Sequence, residues 1–130
     1  MHAVLRKISR NITVCYGEIF PDDENSYLHF AYNGKLFLIA DSYCLNPDCT
    51  CREAVLNFVQ VYPRRSEKET DSFMVRTKLN GRGYKIHERN RFSKFEIKAI
   101  MVDYTDDGTL LSLLNARYKE MKEKVNEILG

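Results

Sequence analysis

Three of the chain's four cysteines fall within the single stretch Asp41-Ser-Tyr-Cys-Leu-Asn-Pro-Asp-Cys-Thr-Cys-Arg52, spaced Cys44-x4-Cys49-x-Cys51. Zinc binds thiolates at about 2.3 Å in a tetrahedron, which places neighbouring sulfurs a little under ~4 Å apart. Ligands this close in sequence meet that condition only where the backbone bends. Asn46-Pro47-Asp48-Cys49 supplies a bend, with Asn at the first and Pro at the second position of a type I turn. It returns Cys49 toward Cys44. The segment must stay curved through Thr50, because in a regular strand Cys49 and Cys51 would stand too far apart to share an ion. Cys44, Cys49 and Cys51 are therefore read as ligands of one metal ion, zinc. The fourth ligand is not evident. Cys15, His29, His87 and the carboxylate of Asp41 are candidates, as are solvent and a partner. Plain burial is the ordinary state of one cysteine and is preferred for Cys15, but it is less natural for three in a polar loop.

This reading depends on compartment. The first ten residues carry Arg6, Lys7 and Arg10 where a secretory signal needs its apolar core, and no apolar run approaches the ~20 residues that span a bilayer. A cytoplasmic setting follows as the expectation, and there thiols stay reduced and metal binding outranks disulfides. The chain of 130 residues is read as one domain, 1–130. Its net charge of +2 excludes no partner class and by itself predicts none.

Around the cysteine loop the pattern is mostly β. Ile12–Phe20 reads as a first strand. Tyr27–Tyr32 and Lys35–Asp41 flank Asn33-Gly34, the preferred pair for a type I′ hairpin turn. Glu53–Tyr62 is rich in β-branched residues and reads as a strand with Leu56, Phe58 and Val61 inward. Pro63–Asp71 reads as a charged loop. Ser72–Leu79 and Gly83–Glu88 form a second hairpin, and Lys94–Tyr104 alternates as a last strand. From Thr109 to Leu129 the period changes. Leu111, Leu114, Tyr118, Met121, Val125 and Ile128 make an apolar helical stripe, with Arg117 and the Lys/Glu residues on the other faces. The fold class is α+β: a mainly antiparallel β-sheet or flattened sandwich over residues 1–108, then one long C-terminal α-helix over 109–129. That helix covers the sheet or, as the sharper alternative, forms a homodimer.

Asp41, Tyr43, Cys44, Asn46, Pro47, Cys49, Cys51, Arg52 and Glu53 form the pattern Asp-x-Tyr-Cys-x-Asn-Pro-x-Cys-x-Cys-Arg-Glu. This resembles a segment of uncharacterised bacterial proteins that often carry a separate zinc-binding SEC-C motif. The resemblance covers about a dozen residues and implies a domain of unassigned function coupled to a terminal zinc module. No Cys-x-Cys…Cys-Cys or Cys-x-Cys…Cys-His cluster follows residue 51 here.

Two other chemistries are legible. Between Arg76 and Lys98 the cations Arg76, Lys78, Arg82, Lys85, Arg89 and Arg91 are interleaved with Tyr84, Phe92 and Phe95, a composition suited to nucleic acid. The plainer reading is a solvated hairpin face with its aromatics turned inward, and low net charge and the lack of an RNP-like motif favour it. A zinc hydrolase would need an open metal position and a nearby general base. No nucleophile motif accompanies His2, His29 or His87, and thiolate-rich sites are more often structural. The reading is thus a zinc-stabilised, non-enzymatic accessory or protein-interaction domain with an unidentified protein partner. A nucleic-acid-binding module is second and a zinc hydrolase third.

Overall fold

The Asn33-Gly34 turn closes as its residues require, with φ of 48° and 77°. It joins β2 (Leu28–Tyr32) to β3 (Lys35–Tyr43) in the computed structural model, which describes residues 2–24, 26–63, 71–106 and 108–129. β3 organises the sheet. One edge pairs with β2 through Leu28↔Ile39 to Tyr32↔Lys35 and, farther along, with the two-residue β1 (Val14–Cys15) through Val14↔Tyr43. The other edge pairs with β4 (Glu53–Tyr62), followed by β5 (Ser72–Lys78) and β6 (Tyr84–Glu88). All six strands are antiparallel, so the architecture is the α+β class read from the sequence.

Side chains alternate across a strand, and only one face of this sheet is buried. Phe37, Ile39, Asp41 and Tyr43 of β3 lie opposite Gln60, Phe58, Leu56 and Ala54 of β4, the last three of which lie opposite Phe73, Val75 and Thr77 of β5. Leu38, Ala40, Val55, Val59 and Met74 point to the other face and stay half-buried. In β4 the inward set continues to Gln60, 4% exposed, so Val61 faces outward against expectation. The helices α1 (His2–Ser9), α2 (Tyr16–Ile19), α3 (Lys94–Thr105) and α4 (Thr109–Leu129) contribute Val4, Ile19, Ile97 and Leu114 to one continuous core with the buried face.

Two expected strands are helices. Ile12–Phe20 is strand only at Val14–Cys15, after which Tyr16–Ile19 turns helical. The Glu18 carboxylate accepts from the Cys15 N–H at 2.7 Å, satisfying a donor that a longer strand would have paired. The second is Lys94–Tyr104, which is α3. Ser93 Oγ accepts from the Glu96 N–H at 3.0 Å and Glu96 accepts from the Ser93 N–H at 3.3 Å, a reciprocal cap that starts a helix. Ile97, Ile100 and Met101 are buried at helical spacing, whereas Phe95, expected inward, is 83% exposed. The basic N-terminal segment is helical over His2–Ser9, α1. Of the charged loop Pro63–Asp71, residues 64–70 lie outside the described residues.

In α4 the buried stripe is Leu110, Leu114, Arg117, Met121 and Val125. Arg117 was expected on a solvated face and is only 5% exposed, because Asp41 meets it inside the core. Leu111 is half-buried and Ile128 exposed, so the stripe runs one residue off the expected register at its first turn. Among the described residues no helix is long and apolar enough to cross a membrane.

Candidate metal centre and its surroundings

The chain leaves β3 at Tyr43 and enters β4 at Glu53, and the nine intervening positions carry the three cysteines. The bend is the one the residue types call for. The Cys49 N–H donates to the Asn46 carbonyl at 2.9 Å and closes a β-turn over Pro47-Asp48. Asn46 Oδ1 accepts from the Asp48 N–H at 2.9 Å, an Asx turn inside it. Asn46 Nδ2 also donates to the Ile8 carbonyl at 3.2 Å and ties the loop to α1. Leu45, 1% exposed, anchors it in the core. At the far end Arg52 adopts φ of 46°, a left-handed residue that turns Cys51 back into β4, and its carbonyl accepts from the Leu79 N–H at 3.0 Å.

These constraints bring the Sγ atoms of Cys44, Cys49 and Cys51 within 4.8 Å of one another. Cys49 Sγ and Cys51 Sγ stand 3.0 Å apart. A tetrahedral zinc ion would need that pair to open by less than ~1 Å, which two side-chain torsions at an exposed loop supply. The donor set therefore fits a thiophilic ion. Burial raises the Cys44 thiol above its ordinary pKa, and burial together with the neighbouring Cys49 pushes Cys51 up to about 11. Cys49 moves the other way. Its thiol is lowered by hydrogen bonding with the Cys51 backbone first, then with the Cys51 and Cys44 side chains. Lys122 adds a smaller electrostatic pull on Cys49 from α4, where its Nζ sits 5.0 Å from the Tyr118 ring centroid. Tyr118 in turn stacks on Tyr43, 5.6 Å between centroids. Thr50, Cys51 and Arg52 share a hollow with Asn115, so the loop lies beside α4 as well as the sheet.

None of the four proposed additional ligands joins the cluster. Cys15 sits in β1 opposite Ser42, with a thiol pKa raised by burial. His29 is exposed on β2 and His87 on β6. Asp41 faces the core, where its carboxylate takes both Nε and Nη2 of Arg117, at 2.7 and 2.8 Å, and the Tyr43 hydroxyl at 2.6 Å. Among the described residues the group is three cysteines and nothing else.

The six cations proposed as a nucleic-acid face divide. Arg76, Lys78, Arg82 and Lys85 line one concavity of about 630 Å³ with Glu53, Tyr84 and His87. Arg89 and Arg91 lie beyond the end of β6 and are not among its lining residues. The aromatics separate too. Phe92 is in the core and Phe95 stands on α3, leaving Tyr84 alone beside the cations. Arg52, part of the pattern over residues 41–53 but not of the six cations read as a nucleic-acid face, joins Lys78 in a second, smaller hollow with Cys51 and Asn115.

Comparison with protein families, with curated proteins and with solved structures finds no match to this chain.

Proposed function

We propose that the chain is a zinc-stabilised, non-enzymatic accessory or protein-interaction domain of the cytoplasm, with Cys44, Cys49 and Cys51 as the metal ligands. The observation that carries this is the convergence of three sulfurs within 4.8 Å on a loop whose turn is fixed by Asn46 and Pro47. Three thiolates at one point suit zinc better than magnesium or calcium, which take oxygen donors. Cys51 is exposed, so a side chain from a partner protein can reach the ion and complete its coordination. This supports an interaction role over a sealed structural knuckle. The resemblance to SEC-C-associated bacterial proteins accords with it, since those chains join such a domain to further modules.

The test is metal content after purification under reducing conditions. One zinc per chain is expected. Cys44→Ser, Cys49→Ser and Cys51→Ser should each lower occupancy or affinity, and Cys15→Ser should leave it unchanged. A folded, reduced protein that takes up no zinc from added salt would end this reading.

A further inference from the structure

The hairpin of β5 and β6 contains an arrangement that folding alone disfavours. Arg76 and Lys85 are directly opposite each other in the ladder. Like charges at such a pair are close and repel. One carboxylate, Glu53, offsets Arg76 at 3.5 Å. Among the described residues Lys78, Arg82 and Lys85 make no ion pair. The chain as a whole has a net charge of only +2, yet this one hollow gathers four Lys/Arg residues and His87 against a single carboxylate.

The turn that presents Arg82 is held rigidly. Asn80 Oδ1 accepts from the Arg82 N–H at 2.9 Å, and the Gly81 N–H donates to the Lys78 carbonyl at 3.1 Å. Gly81 has φ of 79° and lies so close to α4 that a Cβ there would come within 2.9 Å of Leu111 Cδ1. Asn115 of α4 donates to the Leu79 carbonyl at 2.9 Å. These ties fix the backbone that carries the cations, and ordering it beforehand removes that cost from binding. On β5 alone, Arg76 and Lys78 point to the same side about 6.8 Å apart. The cations are thus spread along a track that reaches, through Lys78, to Arg52 beside the cysteine loop. A single phosphate would meet one or two of them, whereas a chain of phosphates meets them all.

The geometry points to the phosphate backbone of single-stranded nucleic acid as the ligand of this surface, with Arg76, Lys78, Arg82 and Lys85 contacting phosphates. Single strands are bound by grooves in which cations track the backbone. Tyr84 pairs across the ladder with inward Thr77 and packs against the core, so the contacts are to the backbone and give affinity with little sequence preference.

The test is fluorescence anisotropy with a labelled single-stranded 20-mer of mixed sequence, on the full chain across a salt series, with a matching duplex and inorganic tripolyphosphate as competitors. Affinity should fall linearly on a log–log salt plot, by about 0.7 per phosphate contact. Arg82→Ala with Lys85→Ala should weaken binding by about tenfold or more and reduce the salt slope by between about one and two. Lys94→Ala with Lys98→Ala removes equal charge from α3 and should change neither. Lys85→Glu separates function from folding. It replaces a repulsive cross-strand pair by an attractive one, so it should raise the melting temperature while weakening the oligonucleotide. Three results would overturn the assignment: no saturable binding at low salt, equal losses in the two double variants, or tighter binding of duplex or tripolyphosphate than of the single strand.

Discussion

Arg117 is the residue whose environment departs most from its chemistry. Its guanidinium makes two parallel bonds to the buried Asp41 carboxylate, donates to the Ser26 carbonyl at 3.0 Å and lies 3.5 Å from the centroid of the Tyr16 ring. Tyr16 is bonded in turn to Glu120, so α2, β3 and α4 meet at one charge. A paired buried charge does little net work against a well-packed apolar substitute, but an orphaned one is costly. Arg117→Met should therefore destabilise by about 3–5 kcal/mol. Adding Asp41→Leu should recover most of that loss. Urea denaturation of the two variants measures both, and a single variant within ~1 kcal/mol of the parent would show that the pair is not what holds these elements together. The sequence conceals this pair for two reasons. Arg117 falls on the inward stripe among Lys and Glu residues, and its partner is 76 positions away. Asp41, next to the cysteine loop, looks like a metal ligand until its carboxylate is seen to be fully occupied. The cysteine loop was readable for the opposite reason: its partners lie within a few residues, and Asn-Pro dictates a turn wherever it occurs.

At the scale of elements, what could be read from the sequence followed local chemistry. The Asn33-Gly34 hairpin and β4 lie where the residue types put them, since a tight turn and a β-branched run leave few alternatives. Lys94–Thr105 did not, because Phe95, Ile97, Ala99 and Met101 alternate as a strand would, while Ile97, Ile100 and Met101 also satisfy a helix. Periodicity over so short a run does not decide between them. The cap decides, through Ser93 and Glu96, and it is visible in sequence as Ser-x-x-Glu. Ser93→Ala should cost about 1 kcal/mol, read by chemical denaturation. A loss under ~0.3 kcal/mol would mean that packing of Ile97 and Met101 alone sets this helix. The short β1–α2 junction is harder to foresee. Ile12, Val14 and Ile19 favour a strand, and only the bond from the Cys15 N–H to Glu18, with Tyr16 and Ile19 buried together, makes the turn to helix.

For the whole molecule, the sheet is covered on one face and the cysteine loop closes one end of it. The loop is bonded to α1 through Asn46 and, through Arg52, to Leu79 just past β5, and it shares a hollow with Asn115 of α4. An ion held there would cross-link three elements distant in sequence, so its binding energy would appear as global stability. Ligand that binds only the folded state stabilises by RT ln(1 + [L]/Kd), about 2.7 kcal/mol at a hundredfold excess of free zinc over Kd. For a domain of this length that corresponds to a rise of roughly 10 °C in Tm. Chelated and zinc-loaded protein should differ by that much in thermal melts. Cys49→Ser and Cys51→Ser should abolish the difference, and Cys15→Ser should preserve it. A local readout separates a genuine cross-link from a nonspecific ion effect. The Leu79 N–H, bonded to the Arg52 carbonyl at the loop's exit, should exchange with solvent faster in the chelated protein, while amides at the centre of β4 slow or quicken only with global stability. If the melts of loaded and chelated protein coincide, the three thiols are packed in the loop without serving as its anchor. The fold would then rest on the core and the Asp41–Arg117 pair alone.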